Sequence, residues 1–119
     1  MKYLKKFEKG TFHKSNIRPK IGDYIISNWE YEYDKEWENY INNNIGQVIK
    51  VENKSERVIY QSKYEVLNRF SSKYNGSSLF YEENDRYYIN MSFEIFEILK
   101  FSSDRKDLEI LLTAINYNL

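Results

Sequence analysis

The chain predicts a mainly β (α+β) fold: a small β-barrel of five or six antiparallel strands, with a short inserted helix and a C-terminal helix. Three observations carry this. Apolar and polar residues alternate in short stretches, most cleanly where Val58, Tyr60, Tyr64 and Val66 face away from Arg57, Gln61, Lys63 and Glu65. Two segments, Ile21-Gly22-Asp23-Tyr24-Ile25-Ile26 and Ile45-Gly46-Gln47-Val48-Ile49, place a glycine at the start of an aliphatic run. A strand coils sharply at such a glycine without a steric clash. Finally, Leu108, Leu111, Leu112 and Ile115 fall at i, i+3, i+4 and i+7, the stripe of an amphipathic helix.

Residues 1–19 read as a basic arm or a short helix, with Tyr3, Leu4 and Phe7 on one face. Gly10 ends it, and Pro19 disfavours helix at Arg18. Residues 20–119 form a single domain. Strand one covers about residues 20–27. Residues 28–44 then form an insertion. Trp29, Tyr31 and Tyr33 alternate with Glu30 and Glu32, which predicts an extension of the strand. Trp37, Tyr40 and Ile41 are spaced for a helix over about 34–42, with Asp34 as its N-cap. Asn42-Asn43-Asn44 stops that helix, since Asn tolerates the left-handed backbone common at helix ends.

Strands two and three, at about 45–52 and 57–67, are joined by the Asn53-Lys54-Ser55-Glu56 turn. Residues 68–78 read as a loop with Asn75-Gly76 as a turn signal. Leu79-Phe80-Tyr81 and Tyr87-Tyr88-Ile89 flank Glu82-Glu83-Asn84-Asp85 as a second hairpin. Ser92-Phe93-Glu94 is expected to make one 3₁₀ turn before a last strand at about 95–101; a helix through Phe93, Phe96 and Lys100 is the alternative. The C-terminal helix spans about 104–116, capped by Ser103 or Asp104, with Asp107 in its first turn. Full burial of its four apolar residues contributes on the order of 6–10 kcal/mol before entropy is subtracted.

The 119 residues are globular in composition, 41% hydrophobic and 30% charged. No apolar run approaches the roughly 20 residues of a membrane span, and no signal-peptide core is present, so a cytoplasmic location and no membrane partner are expected. The absence of Cys removes disulfides and thiolate sites. The net charge is zero but segregated. Residues 1–20 carry a net of +6, residues 21–45 a net of −5. The excess of Lys, Asn, Ile and Tyr also fits an AT-rich coding bias.

The two glycine-led strand starts, with the opening Met1-Lys2-Tyr3-Leu4-Lys5-Lys6-Phe7-Glu8 and the ending Lys106-Asp107-Leu108-Glu109-Ile110-Leu111-Leu112, resemble the small SH3-like barrel proteins of phages and their AT-rich bacterial hosts. The likeness runs in order through most of residues 20–115. It implies an SH3-like barrel and a phage or mobile-element accessory role. It brings no common activity and no site residues.

Enzyme chemistry finds few residues to use. His13 is the only histidine, a zinc site lacks ligands, and Gly10, Gly22, Gly46 and Gly76 are too isolated for a phosphate loop. Neither a catalytic residue, a metal nor a cofactor is expected. The acids Glu82, Glu83 and Asp85 sit in a hairpin turn, where carboxylates serve solubility.

The insertion points instead to a protein-binding module. Trp29, Tyr31, Tyr33, Trp37 and Tyr40 lie within twelve residues, interleaved with Glu30, Glu32, Asp34, Glu36 and Glu38. Trp and Tyr dominate binding hot spots, and flanking acids suit a basic partner. The expected partner-binding residues are Trp29, Glu30, Tyr31, Glu32, Tyr33, Glu36, Trp37 and Tyr40. Combined with the resemblance, this implies an anti-defence (anti-CRISPR-like) inhibitor of a host protein, a nucleic-acid-binding nuclease complex. The competing reading is a barrel that binds RNA or single-stranded DNA. There Lys2, Lys5, Lys6, Lys9, Lys14 and Arg18 would track phosphates while exposed aromatics stack on bases.

Overall fold

A computed structural model of the chain describes residues 17–67 and 80–117. Among them, six strands form one antiparallel sheet: β1 (Tyr24–Ser27), β2 (Gly46–Asn53), β3 (Val58–Val66), β4 (Phe80–Glu83), β5 (Arg86–Phe93) and β6 (Ile98–Ser102). Helix α1 (Lys35–Asn42) joins β1 to β2, a 3₁₀ turn (Ile95–Glu97) joins β5 to β6, and helix α2 (Arg105–Tyr117) follows β6. The strand order is β4-β5-β3-β2-β1-β6. Strands β4 and β6 are thus the two edges, and no pairing among the described residues joins them into a closed barrel.

The two glycines that open β1 and β2 do different jobs. Gly22 sits at φ +96° in a four-residue turn closed by the Asp23 N–H donating to Lys20 O at 3.0 Å. Such a turn needs positive φ at its third position, which only glycine adopts freely. A side chain there would meet nothing; the backbone alone demands glycine. At Gly46 the reverse holds. A Cβ would lie 2.5 Å from the Tyr64 ring, so the missing side chain is the space the ring fills.

Alternation along the strands feeds two cores. The larger one lies on one face of the sheet, where Ile25, Val48, Tyr60, Tyr64, Val66, Ile89, Phe93 and Ile98 pack with Trp37 and Ile41 of α1. The smaller lies on the other face, where Leu108 of α2 packs on Ile26 and Ile45. Consecutive residues Ile25 and Ile26 thus serve opposite faces, which is why both sides of β1 carry a buried isoleucine. Of the helix stripe only Leu108 is fully buried; Leu111, Leu112 and Ile115 are half-buried, so the stripe contributes less than full burial predicts.

Local details correct several expectations. The 3₁₀ turn falls at 95–97 rather than 92–94, because β5 runs on through Phe93, paired to Tyr60. The last strand accordingly begins at Ile98, and the alternative helix through Phe93, Phe96 and Lys100 does not form. The β4–β5 hairpin turns at Asn84 and Asp85, both at positive φ, the two-residue turn that matches strand twist. Residues 28–33 form no strand. Two of their N–H groups go to side chains of α1 instead of a ladder, Trp29 N–H to Asn42 Oδ1 and Tyr31 N–H to Glu38 Oε2, while Asn28 N–H donates to Glu97 O at 3.0 Å. The arm or helix expected over 1–19 lies mostly outside the described residues, as does the loop at 68–78.

Candidate protein-binding surface

Helix α1 begins where Asp34 accepts the Trp37 N–H at 3.1 Å, the cap read from the sequence. Its end differs from expectation. The C-cap residue Asn43 sits at φ −102°, outside the left-handed region. The asparagines act through their side chains: Asn43 Nδ2 donates to Asn39 O at 2.8 Å, and Asn44 Nδ2 to Tyr40 O at 2.7 Å. The Asn44 bond reaches a carbonyl of the last turn, and the Asn43 bond adds to the Asn43 N–H already donated to Asn39 O at 3.0 Å.

The helix faces inward through Trp37 and Ile41, four residues apart and so on one side. Trp37 is only 7% exposed, meets Phe80 edge-on at 6.0 Å and stacks with Tyr40 at 5.8 Å. Tyr40 is half-buried and donates its hydroxyl to Glu65 O at 2.9 Å. Both rings serve mainly to seat α1 on the sheet.

The other three aromatics form a separate ladder on the 28–33 loop. Trp29 and Tyr31 stack nearly parallel at 4.9 Å, and Tyr31 meets Tyr33 edge-on at 5.6 Å. Trp29 and Tyr31 are half-buried, while Tyr33 is 81% exposed. Glu30, Glu32 and Glu36 are exposed beside them. The ladder therefore grades from core to solvent, ending on the exposed Tyr33 ring.

Two side chains that sequence reasoning did not weigh as site residues hold this loop. Asn42, the last residue of α1, accepts from Ser27 Oγ at 2.6 Å and from Trp29 N at 2.9 Å, and donates to Trp29 O at 2.7 Å. Glu38 accepts from Tyr31 N and from Lys35 Nζ at 3.0 Å. The Tyr31 N–H first, then Lys35, holds the Glu38 carboxyl below its ordinary value of 4.5. The signal in the sequence was their place on α1, one and two turns past the cap, on the side facing the loop.

Of the residues expected to bind nucleic acid, Lys2, Lys5, Lys6, Lys9 and Lys14 lie outside the described residues. Arg18 is exposed beside Tyr60, Arg57, Glu94 and Phe96, at the rim of a shallow groove on the far side of the sheet. It is not part of the aromatic ladder.

A second groove, of about 450 Å³, opens on the α2 face of the sheet, its lining including Tyr24, Tyr40, Gln47, Lys63, Tyr88 and Arg105. Lys63 Nζ lies 4.2 Å from the centre of the Tyr88 ring and 3.0 Å from Glu83, whose carboxylate raises the ammonium's pKa. Residues this far apart in the chain gave no shared motif to read. Within the larger core the Tyr64 hydroxyl is fully buried and its pKa is pushed up by burial. Ser27 lies near enough to ease that shift without making a well-formed bond; the Ser62 hydroxyl is likewise unpaired.

No group of three or more His, Cys, Asp or Glu among the described residues is placed to hold a metal ion. No described helix is long and apolar enough to cross a membrane. Comparisons with family models, with curated proteins and with solved structures gave no match to this chain.

Proposed function

We propose that the chain is a non-enzymatic protein-binding module whose contact face is the loop ladder Trp29, Tyr31 and Tyr33 with Glu30, Glu32 and Glu36. The observation that carries this is Tyr33, 81% exposed yet backed by two further rings. A large exposed ring on an ordered support loses little conformational freedom on binding, which is how aromatic hot spots gain affinity. Carboxylates on both sides favour a partner with a basic surface and speed its encounter. Trp37 and Tyr40, expected in this face from the sequence, contribute by seating α1 on the sheet.

The finer reading is an SH3-like module that acts in the cytoplasm as a phage or mobile-element anti-defence inhibitor. Its target is a host nuclease complex, whose nucleic-acid groove would offer the basic surface. Support for the SH3-like part is the strand succession: β1, β2, β3 and β5 follow one another in the sheet, and β6 returns across a 3₁₀ turn to pair with β1. Support for the decoy role is the acidic, aromatic character of the loop.

The test is site-specific photocrosslinking in lysate of the host cell. Tyr33 is replaced by p-benzoylphenylalanine, and Ile110, exposed on α2, by the same residue as a control. A basic nucleic-acid-binding protein crosslinked from position 33 and not from 110 is expected. No product from 33, or the same product from both positions, sinks the proposal.

A further inference from the structure

We propose that the groove on the α2 face of the sheet binds single-stranded nucleic acid, with tyrosine rings stacking on bases and Lys63 and Arg105 meeting phosphates. The site shares no residue with the loop ladder, and it does not rest on the protein-binding reading.

Strand register builds its floor. Tyr24 pairs with Gln47, Gln47 with Lys63, and Lys63 with Asn90, so the four side chains form one row across β1, β2, β3 and β5. Tyr88, two residues from Asn90, shares that face. Helix α2 packs on the same face through Leu108 on Ile26 and Ile45, with Tyr24 packed against them. Tyr40 and Asn44, with Arg105 of the first turn of α2, also line the groove. The volume of about 450 Å³ suits a small planar group.

The chemistry fits a base with its phosphate better than a peptide. Three tyrosines line the groove, and two of them carry a cation over one ring face, which a base would take over as the cation turns to its phosphate: Lys63 lies 4.2 Å from the Tyr88 centroid and Arg105 6.0 Å from that of Tyr24. Bases stack on aromatic faces regardless of sequence, and adjacent cations meet the backbone. Asn44 and Gln47 spend their amide N–H groups on Tyr40 O and Gly22 O, so their oxygens remain as acceptors for exocyclic amines. The carboxylates that now hold the cations, Glu83 on Lys63 and Glu109 on Arg105, are solvent-exposed partners that a phosphate can displace. Glu65 also lines the groove, with Arg86 at 3.5 Å from it. The site is close to neutral, so stacking rather than charge sets its affinity.

The experiment uses the full chain, uniformly ¹⁵N-labelled, titrated at low salt with a hexathymidylate single strand and, separately, with a hexaglutamate peptide. Amide shifts centred on Tyr24, Gln47, Lys63 and Tyr88 are expected with the oligonucleotide and not with the peptide. Tyr88→Leu weakens binding about tenfold, the typical loss of one stacked base. Lys63→Gln with Arg105→Gln lowers the slope of log affinity against log salt by about 1.4, two phosphate contacts on a single strand. No shifts with the oligonucleotide, shifts confined to residues 1–20 or 28–36, or equal binding of hexaglutamate overturns the proposal. Because the shift map is read on the unaltered chain, it decides the matter even where a substitution disturbs folding.

Discussion

In the loop before Asp34, Tyr33 stands 81% exposed among glutamates; one helical turn later, Trp37 is 7% exposed, edge-on to Phe80. Both belong to one acidic, aromatic stretch, and nothing in composition separates them. Backbone geometry does. In α1 the period of 3.6 gathers Trp37 and Ile41 on a single side, which the sheet then buries. In the loop the N–H groups of Trp29 and Tyr31 are taken by Asn42 and Glu38, and the chain turns outward. The helical half stabilises the fold; in the loop, Trp29 and Tyr31 still pack on the larger core, and Tyr33 is displayed.

That division predicts unequal costs. Trp37→Ala removes a ring from the larger core and should destabilise the protein by about 3–5 kcal/mol in urea unfolding. A loss below about 1 kcal/mol would mean that α1 is not seated as described. Asn42→Ala strips three hydrogen bonds from the joint between loop and helix. It should cost about 1–3 kcal/mol, and it should weaken the near-ultraviolet circular dichroism of the Trp29–Tyr31 stack. A variant with an unchanged spectrum would show that the stack holds itself.

Acid should act on the loop before the core. The folded pKa of Glu38 lies below its ordinary value of 4.5. Its tie to Tyr31 therefore contributes fully above that value and is lost as pH falls through the lower, folded one. The near-ultraviolet signal of the stack should drop in that acid range in the native protein. In Glu38→Gln the step should be absent, with the remaining signal flat until global unfolding. An identical step in the variant would assign the pH dependence to another carboxylate. Smallest of all, Tyr33→Ala should change stability by no more than about 0.5 kcal/mol, since the ring is mostly in solvent.

Much of the scaffold was legible in the sequence. The Asp34 cap, the Trp37–Ile41 spacing, the β3 alternation and the helix around Leu108 each follow from local rules; the hairpin expected over 82–85 also forms, but with Glu82 and Glu83 paired in β4 and only Asn84 and Asp85 in the turn. The strand expected over 28–33 shows where local rules stop. Alternating Trp29, Tyr31 and Tyr33 mimic a strand, but a strand needs a neighbour, and side chains of a later helix took its donors first. Gly22 and Gly46 looked like one motif and answer to different constraints, a backbone angle and a ring from another strand. The groove was invisible for the same reason: Tyr24, Lys63, Tyr88 and Arg105 meet only through pairing register across the sheet.

The central claim is that the exposed loop ladder binds a protein partner while α1 holds it in place. It is tested most directly by the affinity of the partner crosslinked at position 33 for the native chain and for the variant Tyr33→Ala, Glu30→Gln, Glu32→Gln. The account predicts at least about tenfold weaker binding with the melting temperature unchanged, since hot-spot aromatics cost about 2 kcal/mol or more when truncated. Equal affinity, or a loss of affinity that merely follows a loss of stability, would contradict it.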